Sequence, residues 1–354
     1  MITIPTAAQL STEQRIGQVL ATAVGHASGL GVNVGDAVDD RRLHEDAVRV
    51  AEEINAYGLG GVCWFPGRPG GNPPEQVADL IAILESAASL PLLVSTDQEG
   101  GRVARMRDGF EVPPAARELG GDTTAIRAHA VRTAQQLRAV GVNHVLAPVA
   151  DVDSNPDNPV IADRSYSADP QVVARCVLAA VEGFTAGGVA SCVKHFPGHG
   201  DTTTDSHIDL PVVTATADQW RAVEAVPFAA AVRAGVPSVM SGHLRLPAID
   251  DEPGTFSYRL LTGVLRDEWG YEGVVVSDSL LMDGATRGRT TGEIVVDALN
   301  AGVDQLLMPA SMSEAYAALT RALDEGRVTE TRLLQACDRV LELKRSFCQG
   351  SDGG

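Results

Sequence analysis

The sequence predicts an α/β chain folded as a single (β/α)8 barrel of the TIM type, and three observations predict it. Eight short apolar, β-branched runs recur along the 354 residues. Between them lie longer segments with apolar residues at i, i+3 and i+4, so that each strand is followed by a helix. The runs are hydrophobic nearly without interruption, which places both faces of every strand against protein, as in an all-parallel sheet covered by helices. An open doubly wound sheet usually has fewer strands and a switch-point crevice, whereas a barrel uses ~250 residues or more as one unit.

In chain order the strand runs are 19–25 (VLATAVG), 60–65 (GGVCWF), 91–97 (PLLVSTD), 143–151 (NHVLAPVAD), 190–196 (ASCVKHF), 237–243 (PSVMSGH), 273–278 (GVVVSD) and 304–309 (DQLLMP). Helical periodicity marks 74–88, 124–141, 169–188, 218–235 and 313–326. No Pro/Ser-rich linker or low-complexity tract divides the chain. Residues 1–348 are therefore read as one catalytic barrel, and the polar, Gly-rich residues 349–354 as a disordered C-terminal tail.

Composition narrows the partners. The chain is 44% hydrophobic and 21% charged, a globular balance with ample apolar surface for a core. With 28 Lys+Arg against 46 Asp+Glu the net charge is -18, which opposes docking on a nucleic-acid backbone or an anionic membrane surface. Lys194 and Lys344 are the only lysines, so Lys194 in the middle of the chain stands out. Five cysteines, an odd number without C-x-x-C spacing, read as reduced thiols rather than disulfides or zinc ligands. The start, MITIPTAAQLSTEQR, has neither a basic n-region nor an apolar h-region, and no apolar run reaches the ~18 residues that span a bilayer. The expected location is cytoplasmic, with export after removal of a signal segment as the alternative.

A barrel carries its active site on loops at the C-terminal ends of its strands. Ionisable residues bunch there: Asp97-Gln98-Glu99-Gly100-Gly101-Arg102, Asp151-Val152-Asp153, Lys194 to Gly200, Ser241-Gly242-His243 and Ser277-Asp278-Ser279. The densest stretch, KHFPGHGDTTTDSH (194–207), holds one Lys, three His and two Asp in a segment whose Gly, Pro and Thr forbid a regular helix. It reads as a catalytic loop, with Asp205 and His207 on one side of an extended segment so that Asp205 orients the imidazole. Helix capping is the plainer reading of such polar loops, and a divalent-ion site is a rival, weakened by the lack of a second ligand cluster. Asp278 is either the N-cap of a following helix or, at a barrel strand's catalytic end, a carboxylate nucleophile. Asp97 carries the same ambiguity, and Gly100 and Gly101 behind it permit a tight turn with positive φ. Arg102, Arg105 and Arg164 are either surface arginines or forked donors to substrate oxygens.

These segments together, KHFPGHGDTTTDSH with DQEGGRVAR (97–105), APVADVDSNPDNPVIADRSYS (147–167) and GVVVSDSLLMDGA (273–285), resemble glycoside hydrolase family 3, in particular bacterial β-N-acetylglucosaminidases of the NagZ type. The resemblance runs from about residue 15 to 345. It implies a single barrel that hydrolyses terminal β-linked N-acetylglucosamine with retention, on cell-wall muropeptide or chitooligosaccharide fragments, with no metal and no cofactor. Asp278 matches the nucleophile, His207 the general acid/base and Asp205 its partner. Asp97, Arg105, Arg164, Lys194 and His195 match sugar-binding positions. A histidine in place of the usual second carboxyl group, with an unperturbed pKa of ~6.5, suits proton exchange near neutrality. It also repels an incoming anion less, so phosphate is an alternative acceptor and phosphorolysis the alternative reaction. Many relatives carry S-D-D where this chain has Ser277-Asp278-Ser279.

Overall fold

The structure, a computed structural model, describes residues 3–26, 40–67, 70–158, 160–202 and 210–348. Eight parallel strands form one sheet: β1 (Leu20–Val24), β2 (Gly61–Trp64), β3 (Leu93–Thr96), β4 (His144–Val145), β5 (Ala190–Phe196), β6 (Ser238–Ser241), β7 (Val274–Ser277) and β8 (Leu306–Leu307). Each strand from β1 to β6 pairs with its successor in sequence, and β8 pairs with β1. The ring closes where Val276 of β7 bridges to Gln305 and the Ser277 amide donates to the Gln305 carbonyl at 3.0 Å. This is the predicted (β/α)8 barrel. The fourth run is its least regular stave. The register slips after Val145 and resumes at a single bridge from Val149 to Lys194, with the Cys192 amide donating to the Ala147 carbonyl at 2.9 Å in between, and Pro148 in this stretch brings no N–H to the ladder.

Ten helices of seven residues or more surround or cap the barrel among the described residues: α1 (Thr12–Gln18), α2 (Asp40–Tyr57), α3 (Pro74–Ala87), α4 (Thr123–Ala139), α5 (Pro170–Ala186), α6 (Ala225–Arg233), α7 (Arg259–Glu268), α8 (Thr291–Ala301), α9 (Met312–Asp324) and α10 (Glu330–Phe347), besides shorter helical segments. Their starts are written locally. The Asp122 carboxylate accepts from the amides of Thr124 and Ala125 ahead of α4, and Asp169 caps α5 just before Pro170. The periodic segment 218–235 is not one helix but two, Ala217–Ala222 and α6. Val223 leaves the helical region (φ −124, ψ −80), since the ring of Pro227 would collide with its carbonyl and has no N–H to donate to it.

Alternation along the strands divides the apolar residues between two cores. Val62, Val94, Val145, Val193, Val239 and Val275 face outward against the helices. Cys63, Leu93, Leu146, Cys192, Met240 and Val276 fill the barrel, joined from below by Val340 and Leu343 of α10. That helix closes the N-terminal mouth. Its Lys344, fully buried, donates to Gln18 Oε1 at 2.6 Å. Asp304 ties the same end together, accepting from Arg266, Arg332 and Arg339 and from the Val275 amide. All five cysteines are free.

One buried group inside the barrel makes stability depend on pH. His144 is fully buried, with Nε2 2.8 Å from Ser238 Oγ, and desolvation pushes its imidazole down to about 4. An unfolded histidine titrates near ~6.5, so between these values the unfolded chain binds a proton that the folded chain refuses, and stability falls as pH falls. Between pH 7 and pH 5 the expected loss is about 2 kcal/mol, measured by urea unfolding. A His144→Gln variant should show a flatter pH dependence by that amount, and an unchanged slope would contradict this assignment.

Candidate active site

At the C-terminal ends of the strands lies a pocket of about 160 Å³. Asp97, Arg105, Arg164, Lys194, His195 and Asp278 all line it, together with Glu99 and His199 and a floor that includes Cys63, Leu146 and Met240. Six of the eight predicted site residues are thus brought together from four strand ends, those of β3, β4, β5 and β7. Asp205 and His207 lie outside the described residues, as does the predicted 349–354 tail.

The loop after β3 shows how local sequence builds one wall. Gln98–Gly100 and Val103–Ala104 form a small antiparallel hairpin, with Gly100 and Gly101 at φ +104° and +53°. A Cβ at Gly100 would lie 2.6 Å from the Pro114 carbonyl, so the expected glycine turn is also a close backbone approach. The Gln98 amide donates to the Met106 carbonyl at 2.8 Å and its Oε1 accepts from the Met106 amide at 3.0 Å. Arg105 is thereby folded back over Asp97, with Nη2 3.4 Å from Asp97 Oδ2 and its guanidinium 5.2 Å from the Phe65 ring centroid.

Lys194 Nζ stands 2.7 Å from both Asp97 Oδ1 and Glu99 Oε1. Arg164 grips Glu99 with two bonds of 2.8 Å, the forked geometry that lysine cannot supply. Burial alone would raise the pKa of both carboxyl groups, but Lys194 with Arg105 outweighs it at Asp97, and Lys194 with Arg164 outweighs it at Glu99. Both are held below the usual carboxylate range. Desolvation likewise opposes the charge on Lys194, and the two carboxylates reverse that and raise it. The pocket wall is therefore a lattice of permanent charges with fixed donors and acceptors.

Asp151, with no exposure, ends the fourth strand run and anchors the loop after β5. Its carboxylate accepts from His195 Nδ1 at 2.7 Å and from the amides of His195 and His199 at 3.3 and 2.7 Å. Burial would raise its pKa; the two histidines lower it. Because Asp151 accepts a hydrogen bond from Nδ1–H, His195 turns Nε2 toward Arg164 Nη2, 3.4 Å away, as an acceptor. Gly200 in the same loop has no room for a side chain, since a Cβ would sit 1.6 Å from the Val152 carbonyl. Desolvation lowers the pKa of His199, against the pull of Asp151.

Asp278 follows β7. Its amide donates to the Ser241 carbonyl at 2.9 Å, and its Oδ1 accepts from the Ser279 amide at 2.7 Å. The next helical turn, Asp283–Thr286, starts after Met282, so Asp278 is not a helix N-cap. Arg102 does not line this pocket. Half-exposed, it pairs with Asp163 at 2.9 Å and donates to the Val160 carbonyl, tying two loops together.

Sequence reasoning missed Glu99, Asp151 and His199 as site residues. Each stood in a strand-end motif, and the signal was their shared position at the catalytic face of a barrel. Chemically the pocket offers a carboxylate on one wall and an array of charged hydrogen-bonding groups opposite an apolar floor, which suits a polyhydroxylated ring. Among the described residues, no three His, Cys, Asp or Glu side chains gather as a metal-binding group, and no helix is long and apolar enough to cross a membrane.

Comparisons with known proteins point one way. Residues 11–343 match the family described as Glycosyl hydrolase family 3 N terminal domain. The chain is 36% identical over 336 residues to Beta-hexosaminidase A of Pseudoalteromonas piscicida, covering 85% of this chain and 56% of that one. It is 37% identical over 284 residues to Beta-hexosaminidase of Thiobacillus denitrificans, covering 76% and 74%. A glycoside hydrolase family 3 β-N-acetylglucosaminidase from a Paenibacillus species superposes with a TM-score of 0.86 at 36% identity, over 98% of this chain and 64% of that one. The chain thus spans little more than half of the first relative and just under two thirds of the last.

Proposed function

Because this chain belongs to glycosyl hydrolase family 3, we propose that it is a β-N-acetylhexosaminidase, removing a terminal β-linked N-acetylglucosamine by a retaining mechanism. The observation that carries the reading is the placement of Asp278 in one pocket with Asp97, Arg105, Arg164, Lys194 and His195. In this reading one Asp278 oxygen attacks the anomeric carbon and the aglycone oxygen leaves with a proton, which gives a covalent glycosyl-enzyme. Water then displaces Asp278 after giving up a proton to the same acid/base group. His207, oriented by Asp205, takes that role. Asp97 accepts from sugar hydroxyls, Lys194, Arg105 and Arg164 donate to them, and His195 accepts through Nε2. Selection for the acetamido sugar is supported by the relatives' names rather than by any one contact. The natural aglycone is a cell-wall or chitooligosaccharide fragment.

Mass spectrometry of products from an aryl N-acetyl-β-glucosaminide, with and without millimolar phosphate, tests the reading. Free sugar in both conditions is expected, and proton NMR of the first turnovers should show the β-anomer before mutarotation. Sugar 1-phosphate replacing free sugar would make phosphorolysis the reaction. An initial α-anomer would rule out the covalent intermediate.

A further inference from the structure

We propose that His243 is a positioning residue for Asp278, acting through Ser279. The proposal rests on the reading of Asp278 as the nucleophile.

The carboxylate of Asp278 is oriented from its own chain, since Oδ1 accepts the Ser279 amide at 2.7 Å. The orientation is only as firm as Ser279 is. The peptide that follows Ser279 is gripped from both sides: the Leu280 amide donates to the Leu307 carbonyl at 2.9 Å, and the Ser279 carbonyl lies 3.0 Å from His243 Nε2. A carbonyl oxygen only accepts, so His243 Nε2 carries a proton. In the neutral ring Nδ1 is then an acceptor, and it faces Thr255 Oγ1 at 2.9 Å.

Thr255 in turn stands 3.1 Å from Ser241 Oγ, and Ser241 is the residue whose carbonyl receives the Asp278 amide. The contacts close a circuit from Ser241 to Asp278, Ser279, His243, Thr255 and back. It joins the ends of β6 and β7, and its one titratable side chain other than the nucleophile is His243, which is fully buried. The imidazole is itself held flat against Phe256, with ring centroids 6.4 Å apart and planes 19° off parallel, and Arg289 covers Phe256 at 4.4 Å. A ring fixed in plane and tautomer, bonded next to the attacking carboxylate, sets the direction of attack. A misplacement of ~1 Å at such a group costs up to about 100-fold in rate.

The full chain is assayed with an aryl N-acetyl-β-glucosaminide in four forms: unaltered, Asp278→Asn, His243→Phe and His243→Gln. Phenylalanine keeps the ring and its stacking but removes the donor; the glutamine amide restores an N–H near Nε2. His243→Phe should lower kcat about 10–100-fold with KM changed less than about threefold, and His243→Gln should recover most of that loss. In the unaltered protein, nitrogen-15 NMR of the histidine rings, assigned by the signal missing from His243→Gln, should show the Nε2–H tautomer. A His243→Phe kcat within about twofold of the unaltered protein, or a loss that His243→Gln does not recover, overturns the proposal. An Nδ1–H tautomer overturns it even where His243→Phe fails to fold. If the unaltered protein is inactive or Asp278→Asn is fully active, the nucleophile reading fails and takes this proposal with it. Failure confined to the His243 variants leaves that reading intact.

Discussion

Replacing Asp278 with asparagine lowers kcat on an aryl N-acetyl-β-glucosaminide by about 10⁴-fold or more, the scale on which losing a covalent nucleophile is felt. The substitution is nearly isosteric, and the asparagine carbonyl oxygen can still accept from the Ser279 amide at the position Oδ1 now holds. Folding and substrate binding should therefore persist, so that an unfolding midpoint close to that of the unaltered protein accompanies the loss. Residual activity above about one per cent, in protein shown free of deamidation, would move the nucleophile elsewhere.

Lys194→Met carries the largest expected stability effect in the site. The ammonium is almost fully buried between Asp97 and Glu99, at 2.7 Å from each, and methionine of similar reach leaves two carboxylates facing one another with only Arg105 and Arg164 to offset them. Removing one partner of a buried ion pair costs about 3–5 kcal/mol. The pH dependence identifies the cause. In the unaltered protein both carboxyl pKa values are depressed, so their contribution is present above the unfolded carboxyl pKa of ~4 and is lost only as pH falls through the lower folded values. Without Lys194 those folded values rise, one carboxyl group takes up a proton as pH falls, and the gap between variant and unaltered protein narrows. Urea unfolding of both at pH 7 and pH 5 checks this. A gap that stays constant would indicate lost packing rather than uncompensated charge.

The fold and half of the site were legible in the sequence for local reasons. Strand runs announce themselves by continuous hydrophobicity, and a barrel's catalytic face lies wherever such a run stops. Asp97, Lys194 and Asp278 were found in that way. What escaped was decided by approach between distant segments. Glu99 looks like any loop carboxylate until Arg164 arrives from 65 residues away. Asp151 looks like a cap until His195, 44 residues on, turns Nδ1 toward it. The split at Val223 was present in the sequence as Pro227, but apolar periodicity ran across it and concealed the break.

By itself, then, the sequence determined the order and type of nearly all the elements, that both faces of each strand are buried, and that ionisable residues gather at one end of the barrel. These are properties of short windows, set by period and by backbone sterics. The tertiary structure alone decided which carboxylates stay charged, which nitrogen of His195 and of His243 carries its proton, and which arginine faces the pocket and which only joins loops. The reason is physical: charge interactions and hydrogen bonds depend on separation and burial, and both are set here by residues tens of positions apart.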